Sequence, residues 1–227
     1  MKEKTVTFHR RTVAYSDEKW QLLSSIRSKA VTVMEKISDF SPILYGSVAR
    51  GDVHKASDID FFIEDVPETY LLEMALDDLG IKERSIIQAT PWHLVKGAIT
   101  LFGGETITFH LTESKLREIE FYYFGGAIEL GDLKEDKRVP GVDKRLVLIR
   151  PNDKGHIEEE ITGREAEVSK LLNVSIDIVR ERSQVLTRRD KVGRTGVYLN
   201  RRLMHDESFE QVLKMICDKD SNVRRRG

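Results

Sequence analysis

Two short stretches carry side chains whose types and spacing suit phosphate chemistry: Tyr45-Gly46-Ser47-Val48-Ala49-Arg50-Gly51-Asp52 and Ser57-Asp58-Ile59-Asp60-Phe61. Pro42 to Tyr45 reads as a short apolar strand that runs into Gly46-Ser47, with a short helix following through Val48 and Ala49. Glycine lets the backbone approach a ligand closely, while the N–H groups of a helix start and the serine hydroxyl donate to phosphate oxygens. Asp58 and Asp60, one residue apart on a second strand (Ile59 to Ile63), are expected to point to the same face. Carboxylates so close repel each other unless something positive sits between them. Mg²⁺ (or Mn²⁺) answers that need, since Mg²⁺ prefers oxygen ligands and shares its shell with phosphates. Two metals bridged this way would stabilise both the attacking and the leaving oxygen of an in-line displacement. Arg50 and Lys55 flank the motif and could reach a triphosphate or an acceptor, a solvent-facing role being the other reading of each.

Together these stretches resemble the polymerase-β-type nucleotidyltransferase superfamily, whose signature is Gly-Ser or Gly-Gly, about ten residues, then Asp-x-Asp. Here ten residues, Val48 to Ser57, separate Ser47 from Asp58. Gly-Ser-x-Ala-Arg-Gly followed by Ser-Asp-Ile-Asp is similar to the small prokaryotic "minimal" branch, which includes antitoxin-like and antibiotic-modifying enzymes. The likeness is tight over residues 43–63 and extends as element order over roughly 16–124. It implies an α/β (α+β) fold, a short mixed sheet flanked by helices. It implies a nucleoside triphosphate substrate, ATP first, with Ser47 on the triphosphate and Asp58 and Asp60 on the metals. The reaction implied moves a nucleoside monophosphate to an acceptor and releases pyrophosphate. The family's third carboxylate belongs on a later strand, here Thr106-Ile107-Thr108-Phe109-His110-Leu111. With Ile107, Phe109 and Leu111 facing the core, the site face carries Thr106, Thr108 and His110. His110 could bind a metal or act as general base, or simply hydrogen-bond a neighbour. Without the third carboxylate, the domain would bind nucleotide without fast turnover.

The surrounding elements must position this motif. A helix is expected from Ser16-Asp17-Glu18, with Trp20, Leu23, Ile26, Ala30, Val33, Met34 and Ile37 on one face, ending before Ser41-Pro42. Further helices are expected at about 68–79, 92–101 and 113–124, and strands at 85–89 and 105–111. Residues 1–15 read as an extended arm. From Arg145 to Ile161 the pattern changes to a hairpin with a polar turn. Residues 166–189 resemble a helix-turn-helix, with Asn173-Val174-Ser175 as the turn and 192–199 as a basic, wing-like hairpin. A last helix is expected over 208–216, followed by a fraying tail. The resulting division is a nucleotidyltransferase domain (1–135), a hairpin connector (136–163) and a helix-turn-helix-like domain (164–227).

Charge supports a polyanionic partner for the last part. Residues 164–227 hold fifteen Lys and Arg against ten Asp and Glu, a balance of +5 in a chain whose net charge is −1. Arg180, Arg188, Arg189 and Arg194 are the candidates for DNA or RNA contact, phosphate contacts of this type giving affinity without sequence choice. An alternative function follows: a weakly active or inactive nucleotide-sensing regulator that binds nucleic acid through its C-terminal domain. A toxin–antitoxin partner that modifies or masks another protein is a third reading. A lone Cys217 excludes an internal disulfide and a multi-cysteine zinc site. No apolar run is long enough to span a membrane and no signal core follows the N-terminus, so a cytoplasmic location is expected.

Overall fold

The structure is a computed structural model that describes residues 10–65, 68–193 and 196–226. A strand β1 (Arg11–Ala14) leads into the long helix α1 (Asp17–Lys36). Ser16 caps α1 by accepting from the Lys19 N–H, and Leu23, Ala30, Val33 and Met34 are buried along one face, as the helical spacing requires. The site elements follow: β2 (Ile43–Tyr45), the single turn α2 (Ser47–Arg50) and β3 (Asp60–Ile63). Next come α3 (Thr69–Leu76), then β4 (Ile81–Gln88), β5 (Lys96–Leu101) and β6 (Thr106–His110). The chain continues through α4 (Leu116–Phe124), β7 (Ala127–Glu129) and α5 (Leu130–Lys134). A second run of strands is β8 (Gly141–Val142), β9 (Val147–Asn152) and β10 (Gly155–Glu160). Helices α6 (Glu165–Leu172) and α7 (Ile176–Val192), strand β11 (Leu199–Arg202) and helices α8 (Phe209–Lys219) and α9 (Ser221–Arg224) complete the chain.

Among the described residues the strands form two sheets. The larger has the order β11-β4-β5-β6-β3-β2-β7 and the smaller β1-β10-β9-β8. Only β3 and β6 run parallel in the larger sheet, so it is mixed, and helices flank it. One face of the larger sheet (Leu44, Phe61, Ile63, Ile107, Phe109) packs on α1, α3 and α8 in the main core. The opposite face carries Ile43, Phe62 and Tyr122 in a small cluster and leaves the Tyr45 and Asp60 end open. A second core joins α4, the smaller sheet, α6 and α7 through Phe124, Leu148, Ile161, Val168, Ile178 and Val179.

Several expectations need correction. The stretch 92–101 holds strand β5 instead of a helix. Its apolar residues fit either period, and pairing with β4 on one edge and β6 on the other decides for the strand. Gly97 is packed so tightly that a Cβ there would lie 2.3 Å from the Phe109 ring, a contact that the hairpin with β6 creates. The wing-like hairpin over 192–199 does not form among the described residues. Helix α7 continues to Val192, Gly193 ends it at a φ of 85°, and β11 pairs with β4 at the edge of the larger sheet. The tail does not fray: α9 buries Val223 in the main core, and the Tyr198 hydroxyl donates to Asp220 at 2.7 Å. The expected C-terminal unit 164–227 is therefore split between two cores. Helices α6 and α7 belong to the second, while Leu203, Phe209, Val212 and Val223 complete the first. Among the described residues no helix is long and apolar enough to cross a membrane.

Candidate nucleotide-binding cleft

Gly46 leaves β2 with a φ of 85°, a left-handed conformation that favours glycine. Its N–H donates to the Gly126 carbonyl at 2.9 Å, which fixes the end of the strand, and nothing lies within 4 Å of where a Cβ would stand. The turn delivers Ser47 as the first residue of α2, whose leading N–H groups have no acceptor within the helix. The Ser47 hydroxyl donates to the Ser57 hydroxyl oxygen at 3.3 Å, and that oxygen also accepts from the His54 N–H at 2.9 Å. These bonds draw the loop before Asp58 onto the start of α2, so the two halves of the motif meet.

Asp60 opens β3 between Tyr45 of β2 and Thr106 of β6. Ile59 is buried in the main core on the other side, and Asp58 and Asp60 both line the same cleft as Gly46 and Ser47. The cleft has a volume of roughly 1110 Å³ and opens between the larger sheet, the smaller sheet and α7. Burial pushes the Asp60 carboxyl up to about 6, the Asp58 charge adds to the rise, and Lys144 opposes it. Burial raises the Tyr45 phenol well above its ordinary range, with the Asp60 charge second. The acid pair thus carries an unrelieved repulsion, and its all-oxygen donor set fits a hard divalent cation.

Three other carboxylates of the cleft are already paired. Asp52 takes Arg50 in a two-point contact at 3.0 and 2.9 Å, and Arg50 also donates to the Gly125 carbonyl at 2.5 Å. Arg50 lines the cleft but is 5% exposed, and these bonds tie α2 to the loop after α4. Asp143 accepts from the N–H groups of Arg145 and Val147 and pairs with the Arg145 guanidinium at 2.6 Å. Glu158 pairs with Arg145 at 2.8 Å and Arg11 at 2.6 Å.

The tight turn that Asp143 organises leaves Lys144 exposed at its tip and in the cleft, where its charge reaches Asp60. Sequence reasoning missed Lys144, because the turn lies in the supposed connector and only folding of the smaller sheet carries it to the acids. Lys55, by contrast, is exposed and does not line the cleft.

The structure does not bring His110 to the acid pair. Parallel pairing puts Thr106, not His110, beside Asp60, and His110 lies four residues farther along β6, about 13 Å at the rise of a strand. It packs against the Phe62 ring at 4.7 Å between centroids, and both ring nitrogens are buried without a hydrogen-bond partner. Burial and then the Lys96 charge lower its pKa to about 4, so the ring is neutral at pH 7. Thr106 offers no carboxylate, and among the described residues no group of three or more His, Cys, Asp or Glu is placed to hold a metal.

The arginines of α7 divide by face. Arg189 lines the cleft together with Arg182, which the sequence reading had not selected for contact, whereas Arg180 and Arg188 do not line it. Arg188 borders a separate depression with Lys191. Arg194 lies outside the described residues. Helix α7 is docked on α4 through the Arg182 guanidinium over the Phe121 ring at 4.9 Å and through Ser175, which caps α7 and bonds Glu120. The face of α7 that carries Arg182 is thus turned toward α4 and the cleft.

The paired motif lies within a stretch that a known family matches. Residues 27–122 match the family model described as a nucleotidyltransferase domain. That stretch begins within α1, ends within α4, and contains Gly46, Ser47, Asp58 and Asp60; the smaller sheet, Lys144 and α7 lie beyond it. No curated protein and no solved structure matches the chain.

Proposed function

We propose that the cleft transfers a nucleoside monophosphate from a nucleoside triphosphate, ATP first, to an acceptor hydroxyl or phosphate. The observation that carries this reading is the convergence of Gly46, Ser47, Asp58 and Asp60 on one cleft within the matched domain. Ser47 and the leading N–H groups of α2 hold the β- and γ-phosphates. Asp58 and Asp60 are the residues that would hold Mg²⁺ or Mn²⁺, which when bound supplies charge neutralisation to the triphosphate and the acid pair. Lys144 supplies further positive charge at that end. An acceptor oxygen forms a bond to the α-phosphorus, the bond from that phosphorus to the bridging oxygen breaks, and pyrophosphate leaves with that oxygen. For a hydroxyl acceptor, the proton passes to water in the open cleft. Rate then comes from positioning and electrostatics.

The test is pyrophosphate release from labelled ATP, GTP, CTP or UTP with Mg²⁺ or Mn²⁺ and cell extract as acceptor. The Asp58→Asn, Asp60→Asn double variant is expected to drop to background while its thermal midpoint holds or rises, because a repulsion has been removed. Undiminished release by that variant would refute the assignment. The regulator reading draws support from the absence of a third carboxylate beside Asp60. It predicts nucleotide binding at ordinary affinity with no labelled product from any extract.

A further inference from the structure

Two arginines of the cleft stand apart from the acid pair, on α7. Residues 182, 186, 189, 190 and 193 of the α7 segment line the cleft, and the spacing of 182, 186, 189 and 193 puts those four on one helical stripe. Arg182 and Arg189 are the charged members of that stripe. They stand seven positions apart, about 10 Å along the axis at the rise of an α-helix. Neither makes a hydrogen bond or ion pair with a carboxylate among the described residues. The Arg182 guanidinium stands over the Phe121 ring, and the two arginines feel each other's charge. Like charges held together in a partly buried wall destabilise it unless an anion joins them.

That anion differs from the triphosphate tail. Asp60 opens β3 beside Tyr45 of β2, whereas Arg182 stands on α7 against Phe121 of α4, so the acids and the arginines approach the cleft from different elements. We propose that Arg182 and Arg189 form an acceptor subsite that recognises a molecule bearing two or more phosphate groups. This rests on the nucleotidyl-transfer reading and gives the acceptor's chemical class. A guanidinium matches phosphate with two parallel N–H donors, and a pair spaced along a helix suits successive phosphates better than a single small anion. Two sources share this chemistry, an oligonucleotide end and a small bisphosphorylated metabolite.

Equilibrium binding to the full chain tests the proposal without turnover. One arm follows the anisotropy of a fluorescent single-stranded hexanucleotide, a second titrates a sugar bisphosphate by calorimetry, and a third titrates ATP with Mg²⁺. At least one of the first two probes should bind, and its affinity should fall steeply with salt. The Arg182→Ala, Arg189→Ala double variant should weaken that probe tenfold or more and change ATP affinity less than twofold. Arg189→Ala alone, at an exposed position, should weaken it at least threefold, which guards against misfolding of the double variant. Which probe responds identifies the source. Three results would overturn the proposal: neither probe binding, ATP affinity falling in step with the probe, or an Arg180→Ala, Arg188→Ala variant losing as much probe affinity. Failure of wild-type chain to bind ATP, with probe binding still dependent on Arg182 and Arg189, would sink the nucleotidyl-transfer reading and leave the anion subsite standing.

Discussion

At the scale of residues, the site is decided by which polar groups are already matched. Arg50 and Asp52 neutralise each other under cover, whereas Asp58 and Asp60 both line the cleft with no ion-pair partner among the described residues. Removing one partner of a buried pair leaves the other uncompensated, so Arg50→Ala should cost about 3–5 kcal/mol by chemical denaturation. A loss under 1 kcal/mol would mean that the pair does not fasten α2. His110 makes the contrary point, because a histidine on the expected site face turns out to sit among aromatic rings. Its folded pKa lies near 4, below the ordinary 6.5. Between those values the unfolded chain binds a proton that the folded chain refuses, so stability falls as pH drops from 6.5 toward 4. His110→Phe should therefore lose less unfolding free energy than the parent between pH 7 and 4.5, and should retain pyrophosphate release. A collapse of release in a well-folded His110→Phe would restore the ring to the chemistry.

At the scale of elements, pairing overrode local pattern where the pattern was ambiguous. The spacing of Leu94, Val95, Ala98, Ile99 and Leu101 suits a helix as well as a strand, and two hydrogen-bonded neighbours made it β5. Its one glycine is required by the fold, since Phe109 of β6 occupies the space of a side chain. Gly97→Val should destabilise the sheet by more than about 2 kcal/mol, because overpacking adds to the loss of fit. An unfolding midpoint unchanged in denaturant would contradict that contact. Where signals were local the elements were legible: Ser16, Ser175 and Ser208 each cap the helix they precede. Ser175 also bonds Glu120, so Ser175→Ala should cost about 1–2 kcal/mol, at the upper end for a cap.

At the scale of the whole molecule, the last part of the C-terminal segment completes the main core and is not an appendage to it. Strand β11 extends the larger sheet, and Phe209 and Val212 of α8 are fully buried beneath it. The main core of a fragment ending at residue 163 would lose those residues together with Leu203 and Val223. We expect that fragment to be insoluble or to lack a cooperative thermal transition. A sharp transition close to that of the full chain would show that residues 199–226 are dispensable to the first core.

The sequence alone determined the parts whose physics is local. A glycine turn before a serine, two acids at strand spacing and the helix caps all depend on neighbours within a few residues, so their types and intervals were sufficient to read. The tertiary structure decided what depends on residues far apart. Parallel pairing of β3 with β6 put Thr106 beside Asp60 and carried His110 away, folding of the smaller sheet brought Lys144 to the acids, and docking of α7 on α4 turned Arg182 and Arg189 into the cleft. None of these leaves a mark in a local pattern, because each is set by the free energy of contacts between segments that the chain brings together only on folding.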